Sequence, residues 1–284
     1  MLRKPVELCW QVNGLRLAGM RWGDEALPPL LALHGWLDNA ESFEVLAPLL
    51  EGFCVVAPDL TGHGRSSRRS PDATYQIWDD LPELMAIVAH LGWPEFALMG
   101  HSRGAIISSI LACAIPGRVS HVVLLDAVLP PAIPEAEFPQ QLANFLEQKP
   151  KLLNREAKSY PNFESATAAR AAKGLSIDSA VALARRGLDK SEEGWRWNSD
   201  PRLQGASAVK LTEGQNRAIL QGLTMPTLLL QPEQGLIRRS GGRLTEAKNN
   251  IPQLRIENVP GGHHFHMEEA VDQVAARISE FLAT

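Results

Sequence analysis

A serine stands between glycines in Gly100-His101-Ser102-Arg103-Gly104, with an apolar run on each side. Where a strand hands over to a helix, Gly-x-Ser-x-Gly is a nucleophile elbow. The glycines permit a turn that would otherwise clash, and the turn pushes the serine hydroxyl out at the carboxyl edge of the sheet. Ligands of open α/β sheets bind at that edge. Serine is also a favoured helix N-cap, so the pentapeptide alone leaves a structural role open. Other segments add chemistry. His34-Gly35-Trp36 ends an apolar run, and a glycine there lets the next N–H face the serine. The backbone N–H groups of Trp36 and Arg103 would then form an oxyanion hole. Late in the chain, "VPGGHHFHMEEA" supplies His263, His264 and His266. A base in that place fits the order serine, acid, histidine. "PDLTGHGRSS" brings Asp59, Gly62, His63, Gly64 and Ser66 after another apolar run.

These residues need a sheet to hold them. "VELCWQV" and "LRLAGMRW" meet at Asn13-Gly14, a strong hairpin signal. "LLALHGW", "FCVVAPDL", "EFALMG" and "HVVLLDAVL" read as buried strands. Between them, Leu46, Leu49 and Leu50 share a face of a short helix. Leu81, Leu84, Val88 and Leu91 predict a helix over 75–91 that Gly92 ends, and 105–115 forms another. Alternating strands and helices predict an α/β fold: a mostly parallel twisted sheet with helices on both faces. From Pro130 to about Gly222 no strong strand pattern appears. Helix-like stretches at 140–147, 164–173 and 177–186 predict a helical insertion instead. The core resumes with "MPTLLLQP", a helix near Leu244, the strand "QLRIENV" and a last helix over 267–282. The expected organisation is therefore a core in two parts, 1–129 and 223–284, around a cap at 130–222.

In order and spacing, "HGW", "DLTGHGRS", "GHSRG" and "GGHHFHME" resemble the α/β-hydrolases with a helical cap, over nearly the whole chain. The segment "GWRWNSDPRLQ" is more loosely similar to the cap of the serine hydrolase-like subgroup. The resemblance implies Ser102 as nucleophile, Trp36 and Arg103 as oxyanion donors, and His263 as general base. Gly262, His263, His266 and Glu268 fit the family's Gly-His-x-x-His-x-Glu frame, which leaves His264 as second choice. One departure concerns the acid. The family commonly places Asp in the loop after the strand that follows the cap. Here the loop reads "LLLQPEQGLI", with Gly235 at the expected place and Glu233 nearby but out of frame. Some capped relatives, the haloalkane dehalogenases among them, carry the acid one strand earlier. Asp126 is therefore the preferred acid and Glu233 the alternative; a structural role for Asp126 in the turn into Pro130 stays open.

The expected function is hydrolysis of an ester or related acyl bond in a small, largely apolar substrate, with no metal or organic cofactor. Serine at the elbow argues against dehalogenase and epoxide hydrolase chemistry, since those relatives use Asp. Carbon–carbon bond hydrolysis, cofactor-free peroxidation and a non-catalytic ligand-binding role remain as alternatives. The histidines near the carboxyl end could suggest a metal site, but they crowd one junction with no second ligand cluster. His63 reads as a structural loop residue, and His34 and His101 as shaping the loops around the site. Trp195 and Trp197 either line a substrate pocket or pack the cap.

Composition sets the limits. The 284 residues, 45% hydrophobic and 21% charged, suffice for a sizeable core without disulfide or metal support. A net charge of −4 argues against general affinity for nucleic acid or acidic membranes. The runs around Arg65 and Arg238 read as solvated loops. Cys9, Cys54 and Cys113 are odd in number and sit among apolar neighbours, which predicts buried free thiols and a reducing, cytoplasmic setting. The start does not read as a signal peptide, and no run approaches the ~18 apolar residues of a membrane span. The oligomeric state is open.

Overall fold

The computed structural model describes residues 4–239 and 241–284. Strands β1 (Val6–Val12) and β2 (Leu15–Trp22) form the Asn13-Gly14 hairpin, with both turn residues at positive φ. β3 (Pro29–Leu33), β4 (Cys54–Pro58), α1 (Leu81–His90), β5 (Phe96–His101), α2 (Arg103–Ala114) and β6 (Val119–Leu125) follow. The intervening segment holds α3 (Phe138–Leu153), β7 (Ser159–Tyr160), α4 (Phe163–Ala171), α5 (Ile177–Gly187), β8 (Leu188–Ser191), β9 (Gly194–Trp197) and α6 (Glu213–Gly222). The chain then returns through β10 (Thr227–Pro232), the short α7 (Leu236–Arg239), α8 (Gly241–Asn250), β11 (Leu254–Val259) and α9 (Val271–Leu282).

The main sheet has the order β1-β2-β4-β3-β5-β6-β10-β11. β2 pairs antiparallel with β1 and β4, and the rest of the sheet is parallel. Central strands are apolar on both faces because helices cover both. Leu31, Leu33, Val56 and Leu98 face α1 and α2 in one buried cluster. Leu30, Val55, Met99 and Leu228 face α9 through Val274, Ile278 and Phe281 in the other. Full burial of each such side chain stabilises by about 1.5–3 kcal/mol.

Three expectations need correction. Helix α1 starts at Leu81, not near residue 75, because Pro82 sits in its first turn. A proline ring opposes any helical turn before it, so the periodicity upstream belongs to a loop. The leucines at 46–50 lie around 3₁₀ turns at Ala40–Phe43 and Ala47–Leu49 rather than on one helix. Finally, the segment after β6 is not purely helical. β7, β9 and β8 make a small antiparallel sheet. Its strands are two to four residues long, too short to show an alternation in sequence.

The free thiols are also unequal. Cys54 is buried and Cys113 half-buried, but Cys9 is exposed, on the outward face of edge strand β1. Among the described residues, no helix is long and apolar enough to cross a membrane.

Helix α6 packs against α2 and α8, and its Leu220 joins the core. The rest of the inserted segment meets the core through one small apolar cluster, Leu175, Ala182 and Leu183 against Met267, and through polar contacts. The Arg186 side chain on α5 is fully buried, with Nε bonded to both Asp59 oxygens at 2.7 and 2.9 Å and Nη1 to Glu7. Asn39 donates to the Leu183 carbonyl, and Tyr75 donates its hydroxyl to Asp200 at 2.8 Å.

Candidate active site

Ser102 lies between β5 and α2 with φ 52° and ψ −115°, a backbone state that costs a non-glycine residue about 1–3 kcal/mol. Its side chain makes no helix-capping hydrogen bond, so the N-cap reading does not explain the serine. The flanking glycines are required by close approach. A Cβ on Gly100 would sit 2.3 Å from the Gly104 carbonyl oxygen, and one on Gly104 would sit 2.0 Å from that of Leu33. The turn is thus fixed by backbone packed against backbone, and the hydroxyl is left uncommitted for chemistry.

Ser102 N–H donates to the Leu125 carbonyl, and Asp126 N–H to that of Leu230. Serine and aspartate therefore sit on neighbouring strand ends at the same edge of the sheet. Asp126 is fully buried and also has positive φ, 58°. One carboxylate oxygen is 2.6 Å from His263 Nδ1 and accepts from Leu236 N–H at 2.7 Å; the other accepts from Ile237 N–H at 3.0 Å. Its partners lie on α7 and the carboxyl-terminal loop rather than on the turn into Pro130. Because the carboxylate can only accept, the proton of neutral His263 sits on Nδ1 and Nε2 presents its lone pair. Glu233 is exposed, and its side chain has no hydrogen bond or ion pair among the described residues. Gly235 explains the empty family position: a Cβ there would meet an Asp126 carboxylate oxygen at 2.2 Å. The carboxylate occupies the space from the neighbouring strand.

Behind this pair lies a histidine cluster the sequence did not reveal as one. The His101 ring centroid is 4.5 Å from that of His263, 5.1 Å from His264 and 4.2 Å from His266. His101 Nε2 donates to the His263 carbonyl at 2.9 Å, fixing the backbone of the base. Burial, reinforced by His263 beside it, pushes the His101 pKa down to about 4, so the ring is neutral. His264 Nε2 instead faces buried Asp38 at 3.5 Å, and His266 Nε2 bonds Ser42 Oγ at 3.0 Å. Burial alone would raise the Asp38 carboxyl. The His264 ring and the Arg170 guanidinium, 2.6 Å away on α4, outweigh it and hold the group well below the usual carboxylate range. The nitrogens of His101, His263 and His264 lie within 4.8 Å of one another, a spacing open to a metal ion. Two of the rings are already committed, to Asp126 and to a carbonyl.

The remaining loops hold the edge open. Leu60 N–H donates to His34 Nε2, so His34 carries its proton on Nδ1 and gives it to the Gly35 carbonyl. That imidazole joins the loop after β3 to the loop after β4. Among the described residues, no group accepts from the Trp36 N–H. Arg103 opens α2, where an N–H has no partner within the helix. The Trp36 indole donates to the Leu203 carbonyl, and the Arg103 guanidinium pairs with buried Asp80 at 3.2 Å. His63 is buried and bonded to the Thr61 carbonyl, a loop contact. Trp195 packs on Phe163, whereas Trp197 both joins the cap's apolar cluster and lines a cavity. Asp38, Arg170 and Arg186 carry no motif that marks them in the sequence. One signal was present: Arg186 follows Leu183 by three on the buried face of α5, a place for an apolar residue unless a buried acid waits opposite.

The chain as a whole has counterparts among known proteins. The profile of the alpha/beta hydrolase fold matches residues 28–270. A serine hydrolase-like protein of Dictyostelium discoideum is 30% identical over 90% of this chain and 76% of its own. Serine hydrolase-like protein 2 of Homo sapiens is 30% identical over 94% and 90%. A hypothetical protein of Pseudomonas aeruginosa PAO1 superposes with a TM-score of 0.93 at 34% identity, over 98% of this chain and 99% of that one. The chain is thus a hydrolase by fold and by kinship, and it belongs to the α/β-hydrolase family, with serine hydrolase-like proteins among its relatives.

Proposed function

We propose that the protein cleaves an ester or related acyl bond through an acyl-enzyme on Ser102, with His263 as base and Asp126 as acid. The observation that carries this reading is the 2.6 Å contact between His263 Nδ1 and buried Asp126, which leaves Nε2 free to accept a proton. His263 Nε2 takes the Ser102 proton as Oγ attacks the acyl carbon. The carboxylate holds the working tautomer and stabilises the imidazolium that forms. The Trp36 and Arg103 N–H groups hold the oxyanion, helped by the positive end of α2. The imidazolium then protonates the leaving group. Water, deprotonated by the same ring, releases the acid and restores Ser102.

Residues 130–222 serve as a lid that sets what reaches the serine, in keeping with their contacts to Trp36, Asp38 and Asn39. A cavity of about 360 Å³ lies between the segment after β6, α6 and α8, lined by Val128, Leu129 and Leu220 together with Glu213, Arg243 and Glu246; it offers room for a substrate with both apolar and polar parts.

The test is a panel of acyl esters and thioesters of graded chain length. Wild type turns over part of the panel, and Ser102→Ala, folded normally by circular dichroism, loses about a million-fold in turnover. Near-normal turnover by the variant would remove Ser102 as nucleophile.

A further inference from the structure

A second cavity, of about 210 Å³, opens along the inserted segment, and its lining is cationic. Arg155, Lys158, Arg170 and Lys173 line it, against one carboxylate, Glu156. Four cations on one wall are unexpected in a chain of net charge −4. Arg170 is held by Asp38, yet its Nε is buried with no hydrogen-bond partner. Arg155 has only the neutral side chain of Gln204, at 3.3 Å, and Lys158 sits 4.9 Å over the Tyr160 ring. Among the described residues, none of Arg155, Lys158 and Lys173 pairs with a carboxylate. Like charges gathered without counter-charge destabilise a fold unless an anion joins them. The cavity reaches the loop that follows β3. Its core-side wall is Leu37, which follows Trp36 and has φ 60°.

The geometry points to a binding site for an anionic group on the substrate, a carboxylate or a phosphate, held by Arg155, Lys158 and Lys173 at the end remote from the scissile carbonyl. This rests on the acyl-hydrolase reading and adds the substrate's charge to it. The anion has two possible sources: a carboxylate at the far end of the acyl chain, or a phosphate on the leaving group.

Matched substrates separate them. For the acyl end, mono-p-nitrophenyl glutarate is compared with p-nitrophenyl valerate. For the leaving group, butyryl-coenzyme A is compared with butyryl N-acetylcysteamine. Each pair is assayed with wild type and with the Lys158→Glu/Lys173→Glu double variant. The charged member of one pair should lose roughly tenfold or more in kcat/KM in the variant, while its neutral partner stays within about twofold. The affected pair identifies the source. Added salt should erode the wild-type preference in the same direction. Equal losses for charged and neutral members, or no loss, would overturn the site.

Binding gives a readout that needs no catalysis. Titration of glutarate and inorganic phosphate by calorimetry should show binding of one to wild type and weakened binding to the double variant. Binding without turnover of any ester would contradict the acyl-hydrolase reading and keep the anion site. Turnover of neutral esters with no binding of either anion would do the reverse.

Discussion

The sheet core and the inserted segment are held by different physics. In the core, Leu30, Leu31, Val55, Val56, Leu98 and Met99 are wholly buried, and stability comes from non-directional burial on both faces. The inserted segment has only small apolar clusters, such as Leu175 with Ala182 and Leu183. It is fastened by directional contacts instead: Arg186 on Asp59 and Glu7, Arg170 on Asp38, Asn39 on the Leu183 carbonyl. The core thereby fixes Ser102, Asp126 and His263 within a rigid frame. The inserted segment is tied down at a few points. In the proposed function, chemistry belongs to the first region and selection to the second.

Substitutions at the two regions should separate accordingly. In the core, Asp126→Asn should lower turnover by about 10⁴-fold with little change in fold, while Glu233→Gln stays near wild type. The reverse ranking in steady-state kinetics would move the acid to the other loop. At the junction, Arg186→Met strips the buried partner from Asp59 and should destabilise by about 3–5 kcal/mol. Arg185→Ala, which loses only a partly exposed pair with Glu44, should cost under about 1 kcal/mol. Denaturant midpoints decide this, and equal effects would mean the buried latch contributes nothing special. A third substitution probes the space around the acid. Gly235→Ala brings a methyl against the Asp126 carboxylate and should cost on the order of 10² in turnover by misplacing His263. An unaffected kcat would show that the acid can shift without consequence.

The same division explains what could be read from sequence. The buried strands and the α/β class were legible because apolar runs of five to eight residues persist whatever their neighbours do. The elbow was legible because both glycines are dictated by backbone contacts, Gly100 by the turn itself and Gly104 by the end of β3, and they stand at fixed spacing around the serine. Helix α1 was read too long because the leucine period did not register the veto of Pro82. The short β7–β9 sheet and the outward Cys9 were missed because a few residues carry no period and an edge strand has one wet face. The Asp126 contact with His263 spans 137 positions and that of Arg186 with Asp59 spans 127. For the first, sequence could only rank two carboxylates. For the second it offered no more than a cation on an apolar helix face.

The central claim is that Ser102 is an activated nucleophile. Incubation with a fluorophosphonate, followed by intact-mass and peptide mass spectrometry, tests it without knowledge of the substrate. One adduct per chain is expected, on Ser102, formed rapidly in wild type, far more slowly in Asp126→Asn, and not at all in Ser102→Ala. A wild-type chain that stays unlabelled, or an adduct on another residue, would contradict it.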